Sequence, residues 1–382
     1  MKYLKSITDS FGKIHKFKLV KGAGIYIHIP FCIKKCHYCD FCSVLYDHTL
    51  LDLYVDTLIK EIDYRRDETC LIDSIYFGGG TPSLLDDYQI SKVLETVNNA
   101  FTINKNCEIT LEANPASYDL NRAKRLIKSC INRISIGIQS LNDDELKILG
   151  RIHDKKKAVE SIEIAKDAGF KNISVDLIYG VSNQDLLSWS KTLKEIISLN
   201  PQHISTYELT FNENTLISRD NRLQKASEEV IEKIYLYTVQ FLTKSGFIHY
   251  EISNYSREGF HSVHNMNYWT RGKYIGFGVS AHSFDGFKRS ANTSDINDYI
   301  ALINDNKTAT KDMEYIDEEK AKEEQIFLGL RTINGINKEL LKGKDGIINR
   351  LYRGGLIEFF DDRIRLTSKG LILSNEIILQ VL

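Results

Sequence analysis

GIYIHIPFCIKKCHYCDFC, residues 24–42, decides how the chain is read. Its first six residues, GIYIHI, form an apolar run of strand length. Four of the chain's seven cysteines follow at once, as Cys32, Cys36, Cys39 and Cys42. A loop at the carboxyl end of a strand is where β/α proteins place their chemistry. In a reducing compartment, thiols crowded in this way are expected to bind metal rather than to form disulfides.

The strand pattern recurs at Ser74–Phe77, Glu108–Ala113, Arg133–Ile138, Asn172–Leu177 and His203–Tyr207. Amphipathic helices lie between. In Leu51–Arg65 the apolar Leu51, Val55, Leu58, Ile59 and Ile62 share one face. Tyr88–Phe101, Leu120–Ser129, Lys155–Ala168 and Asp185–Leu199 read the same way. Strands alternating with helices predict a parallel sheet with right-handed crossovers. Apolar runs without clean alternation predict strands covered on both faces. The fold class is therefore α/β, an open or closed β/α barrel, with a doubly wound sheet as the alternative.

After about residue 215 the rhythm changes. One long helix is expected at Ala226–Lys244, followed by a loop-rich, aromatic stretch from His249 to Phe287. Beyond Asp317, helices precede LIEFFDDRIRLT (Leu356–Thr367), read as two short strands about an Asp361-Asp362 turn, and then a last helix. That order is winged-helix-like. Its charge is mixed, so no nucleic acid partner is expected.

The composition is that of a soluble globular protein, with 42% hydrophobic and 26% charged residues in 382. A formal net charge of −1 gives no global field toward nucleic acid or an anionic membrane. No apolar run approaches the ~18 residues of a spanning helix. The first residues, MKYLKSITDSFGKIHKFKLVK, lack the continuous apolar stretch of a secretory signal. A cytoplasmic protein is expected.

Cys32, Cys36 and Cys39 are spaced Cys-x3-Cys-x2-Cys, and Cys70, Cys107 and Cys130 stand alone. Zinc sites more often use two separated pairs or Cys/His mixtures. Thiolates suit iron–sulfur clusters. Three in one loop can hold three corners of a cubane and leave the fourth iron open.

Cys-x3-Cys-x-Tyr38-Cys after the first strand resembles the radical S-adenosylmethionine (SAM) superfamily. After the second strand comes Gly78-Gly79-Gly80-Thr81-Pro82-Ser83, whose glycines let backbone approach a ligand closely. TLEANP (Thr110–Pro115), RISIGIQS (Arg133–Ser140), LGRIH (Leu149–His153) and VDLIYG (Val175–Gly180) complete the likeness. Together these stretches are similar to oxygen-independent coproporphyrinogen III oxidases and the HemW-type heme chaperones, from about Gly24 to the last helix. The resemblance implies a partial (β/α)6 barrel with a small C-terminal winged-helix-like domain. It implies a [4Fe–4S] cluster on Cys32, Cys36 and Cys39. It also implies SAM held by Tyr26, Tyr38, Gly79, Gly80 and Thr81, then by Glu112, Gln139, Arg151 and Asp176. The chemistry implied is one-electron cleavage of SAM to a 5′-deoxyadenosyl radical.

Three features point to the chaperone branch. The oxidases continue their loop to a Cys-x-Cys, and here Phe41 occupies that place while Cys42 comes one position late. The oxidases carry a longer N-terminal arm. His264-Asn265-Met266-Asn267-Tyr268-Trp269 matches the HNxxYW segment of the chaperones, and YIGFGVSAHS (Tyr274–Ser283) follows. His264, with Asn265 and Tyr268, is thus the expected heme group, ahead of His261 and His282. Cys42 is expected to be a packed thiol, and His37 departs from the proline usual there. The expected partners are heme, heme-acceptor proteins including ones at the membrane surface, and a flavodoxin- or ferredoxin-like electron donor. The reading against this is an oxidase or another radical enzyme acting on a porphyrin. The expected units are an N-terminal extension 1–23, a radical SAM barrel 24–215, a heme- or substrate-binding extension 216–316 and a C-terminal domain 317–382.

Overall fold

Ile25, Ile27 and Ile29 are wholly buried on one face of β1 (Ala23–Ile29), and this strand organises the rest. The computed structural model describes residues 22–382, so nearly all of the expected N-terminal extension lies outside the described residues. Past β1, the short strands β2 (Phe31–Cys32) and β3 (Val44–Leu45) pair in parallel and draw together the two ends of the cysteine loop. There follow α1 (His48–Tyr64), β4 (Asp67–Gly79), α2 (Asp87–Ala100), β5 (Phe101–Ala113) and α3 (Leu120–Lys128). Next come β6 (Arg133–Gln139), α4 (Asp143–Ile148), α5 (Lys155–Ala168), β7 (Ile173–Tyr179), α6 (Leu186–Ser198) and β8 (His203–Glu208). Aspartates start the helices. The carboxylates of Asp47, Asp86, Asp119, Asp154 and Asp185 each accept a backbone N–H of the first turn, and Asp86 forms a capping box with Gln89.

The chain then runs through α7 (Glu228–Lys244), β9 (Ile248–Glu251), β10 (Asn254–Ser256), α8 (Val263–Trp269), β11 (Tyr274–Phe277), β12 (His282–Phe284), β13 (Lys288–Asn292), α9 (Ile296–Asn306) and β14 (Thr310–Tyr315). The stretch His249–Phe287, read as loop-rich, is about half strand and helix. Its elements are three to seven residues long, too short to display a period.

One twelve-stranded sheet results, in the order β14-β13-β12-β11-β1-β4-β5-β6-β7-β8-β10-β9. The six expected strands, β1 and β4 to β8, are parallel neighbours. β11 adds a seventh parallel strand on the free side of β1, and antiparallel strands extend both ends, so the sheet is mixed. The C-terminal part packs α10 (Glu318–Gly329), α11 (Asp345–Arg353), α12 (Ser368–Ile372) and α13 (Ser374–Val381) with a small antiparallel sheet. That sheet joins β15 (Ile336–Asn337), β16 (Ile357–Phe360) and β17 (Arg363–Leu366), and the β16–β17 hairpin turns at Asp361, φ +50°. Among the described residues no helix is long and apolar enough to cross a membrane.

A single buried carboxylate ties the added strands to the barrel. Glu61 of α1 is 1% exposed. It accepts from the Gly278 N–H at 2.8 Å, the Asn292 Nδ2 at 2.8 Å and the Tyr299 hydroxyl at 2.7 Å, and it pairs with Arg65 at 3.1 Å. Glu61→Ala leaves these donors and one cation without their acceptor. It should lower stability by about 3–5 kcal/mol, read as a shifted urea midpoint. Glu61→Gln should cost less.

Candidate functional site

The loop after β1 and the carboxyl ends of β4 to β8 open on one cavity of ≈390 Å³. Cys32, Cys36 and Cys39 line it with Tyr38. Gly79, Gly80 and Thr81 line it from the end of β4. Glu112, Gln139 and Asp176 reach it from β5, β6 and β7, and Arg151 from the loop after α4. Asn265 also reaches its floor. Cys42 is not on this cavity. Its Sγ donates to the Ser294 carbonyl at 3.3 Å, and burial pushes the thiol above its ordinary value.

The cysteine loop is fixed from outside. His37 Nδ1 donates to the Ile148 carbonyl at 2.9 Å, and its backbone N–H to Leu149 O at 3.0 Å. That clamps the loop to the turn that carries Arg151. Arg151 Nη1 stands 3.3 Å from Cys36 Sγ, and Thr81 Oγ1 donates to Cys32 Sγ at 3.6 Å. All three thiols are free and half-buried. Desolvation raises Cys32, and it pushes Cys39 up to about 11. A four-iron cube holds its thiolates at separate corners, displacing their protons. Three free thiols spread around one cavity, with a guanidinium beside one sulfur, fit that donor set.

The floor beneath is polar and buried. Tyr76 donates to Glu112 Oε1 at 2.7 Å and Gly79 N–H to Oε2 at 3.3 Å. Desolvation nevertheless pushes the Glu112 carboxyl up to about 7. Ser135 donates to both oxygens of Asp176, at 3.3 and 3.1 Å, and burial raises that carboxyl as well. Arg133 is wholly buried, and its Nε and Nη1 have no hydrogen-bond partner among the described residues, nor has Arg151 Nε. Unpaired buried N–H groups are costly, and both arginines line this cavity, so they supply it with positive charge. Acids for an ammonium and a sulfonium, and guanidinium donors for a carboxylate, suit the zwitterion SAM.

Three expectations need correction. Gly79 has φ +109°, and a Cβ there would meet the His28 ring at 2.6 Å, so its bareness is first demanded by packing against β1 rather than by a ligand. Tyr26, expected beside SAM, lies off this cavity. Its hydroxyl meets His28 Nδ1 at 3.0 Å, and His28 Nε2 donates to Cys42 O at 2.8 Å. His264, expected to face heme, is 1% exposed. Its Nδ1 meets Ser74 Oγ at 3.0 Å, its Nε2 meets the Tyr268 hydroxyl at 2.9 Å, and its ring stacks on Tyr76. Burial lowers it to about 3, so it is a neutral packing group in this conformation. Tyr26 and Tyr268 instead line a second cavity, with Cys42 and His282. His261 is half-buried, and burial lowers its pKa.

The radical SAM superfamily model matches residues 26–196. The heme chaperone HemW of Bacillus subtilis (strain 168) is 33% identical over 367 residues, 92% of this chain and 97% of that one. The chain belongs to the HemW heme chaperone family. The HemW of Buchnera aphidicola subsp. Schizaphis graminum is 41% identical over 270 residues, covering 68% and 69% of the two chains. Among solved structures, the radical SAM enzyme coproporphyrinogen III oxidase HemN from Escherichia coli superposes with a TM-score of 0.83 over 94% of this chain and 90% of its own, at 22% identity. That likeness shows the fold.

Within this HemW-family site, sequence reasoning passed over Arg133, Tyr76, Ser135 and Asn114. Strand parity could have found the first three. Positions 74, 76 and 78 of β4 and 133, 135, 137 and 139 of β6 alternate with buried apolar residues, and so point into the barrel. Gly79→Ala should destabilise the metal-free protein by about 1–3 kcal/mol, from positive φ and the His28 contact. Adding His28→Ala should recover only part of that loss, in a double-mutant cycle followed by thermal denaturation.

Proposed function

We propose that the chain takes up heme and passes it to acceptor proteins, holding a [4Fe–4S] cluster on Cys32, Cys36 and Cys39 and SAM beside it. The observation that carries this reading is identity to a heme chaperone along nearly its whole length. Phe41 in the place of the oxidase cysteine supports it over decarboxylation of coproporphyrinogen. Held by Cys32, Cys36 and Cys39, a cluster with an open iron would supply one electron to the C–S bond of SAM. The chain's own residues do the rest. Arg151 steadies the Cys36 sulfur, Thr81 that of Cys32, and His37 keeps their loop on the barrel. Gly79, Gly80, Glu112 and Asp176 receive the amino-acid end of SAM, and Gln139 and Tyr38 border the remainder of the cavity. A flavodoxin- or ferredoxin-like donor reduces the cluster, and the acceptors include proteins at the membrane surface, met from the cytoplasm.

One anaerobically reconstituted preparation tests this. It should carry about four irons per chain, bind heme with a Soret band and leave coproporphyrinogen III unchanged with SAM and reductant. Replacing Cys32, Cys36 or Cys39 by Ala should remove the cluster, and Cys42→Ser should keep it. Formation of protoporphyrinogen IX with SAM consumed would replace the chaperone reading by the oxidase one.

A further inference from the structure

The second cavity, of ≈410 Å³, lies against the opposite side of the cysteine loop. Asp40 and Phe41 stand on the walls of both cavities, so a few residues of loop divide them. Its volume falls within the range of cofactor sites, about 300–1,000 Å³. Its walls are largely aromatic. Tyr26 comes from β1, Tyr268 from α8 and Tyr274 from β11, with Phe41 from the loop. Tyr268 and Tyr274 meet edge to face, ring centroids 4.7 Å apart. Tyrosine and phenylalanine rings beside the polar Asp40 and Ser280 suit a large aromatic ring system that carries polar substituents.

Four side chains of metal-ligating type line this space, His28, Asp40, Cys42 and His282. His28 is engaged at both ring nitrogens, and Asp40 accepts from Asn212 Nδ2 at 2.6 Å. His282, at the start of β12, is exposed, and among the described residues no hydrogen bond or ring contact engages its imidazole. Cys42 presents a thiol whose one hydrogen bond is the weak donation to Ser294 O. Lys35, on the same loop, lines the first cavity and donates to Phe41 O at 3.5 Å. His264 offers less. Both its nitrogens are engaged, and its ring lies among Tyr26, Tyr76 and Tyr268. The HNxxYW segment therefore reaches the cavity through Tyr268, and its histidine holds that tyrosine's hydroxyl.

We propose that this second cavity is the heme site, with His282 as the axial ligand of the iron and Cys42 on the wall beside the porphyrin. A neutral imidazole is a common ligand of heme iron. The proposal rests on the heme-carrier reading above. It moves the iron contact from His264 to His282 and makes His264 a positioning residue for Tyr268.

The test is titration of the full, cluster-loaded chain with hemin, following the Soret band, with iron and sulfide content as control. His282→Ala should shift the Soret band and weaken binding about 10- to 100-fold, with the cluster intact. Cys42→Phe, which fills the cavity, should weaken binding to a similar degree, also with the cluster intact. His264→Gln, kept only if its circular dichroism matches the parent, should retain the parent Soret position. If the parent binds heme while His282→Ala and Cys42→Phe leave spectrum and affinity unchanged, the site is wrong and the carrier reading stands. A parent that binds no heme overturns both. Loss of the Soret band in folded His264→Gln alone returns the iron to α8 and overturns the proposal.

Discussion

Arg133 has no access to water, and its charge sets the arrangement of the barrel interior. An unpaired buried guanidinium would cost many kcal/mol, so a carboxylate must accompany it. Glu108 does so at 4.0 Å, too far to satisfy the guanidinium by hydrogen bonding. The carboxylate spends its lone pairs elsewhere, on the Val263 and His264 N–H groups at 3.1 Å each. It thereby anchors the first turn of α8 beneath the strands, where negative charge is favoured. One ion pair thus does two things. It seats the helix that closes the floor, and it places a guanidinium in the lining of the cluster cavity.

The likeness to HemN covers almost the whole chain, yet the family is that of heme chaperones. A shared scaffold does not dictate shared chemistry. Here the scaffold supplies a mouth with three thiols, opposed acids and guanidinia. The expected point of difference between the branches falls in the loop, where Phe41 is 60% exposed and Cys42 turns away from the cluster cavity.

Much of this was legible from the chain. The six parallel strands were readable because each is a buried run ending at a loop, and α5 because Asp154 starts it and Gly169, φ +108°, ends it. The cavity lining was readable at Cys32, Cys36 and Cys39 from their spacing after a strand, and at Glu112, Arg151 and Asp176 through the resemblance to the radical SAM superfamily. β11 was not, because four residues carry no period and its partner β1 lies some 250 residues earlier in the sequence. The burial of His264 was not, because a motif specifies which residues recur and not which way a ring turns. That direction follows from Gly24, whose missing side chain leaves room for the imidazole beside Ser74.

The place of β1 in the sheet has a consequence for biosynthesis. β1 is the earliest described strand to leave the ribosome, and its partner on one side, β4, follows within about fifty residues. Its other edge pairs with β11, so it stays uncovered until residue 277 has been made. At ~5–20 residues per second that is an interval of roughly ten to fifty seconds. Throughout it, an isoleucine-rich strand presents open N–H and C=O groups to any neighbouring chain. The nascent protein therefore carries an unpaired, apolar strand edge for most of its own synthesis.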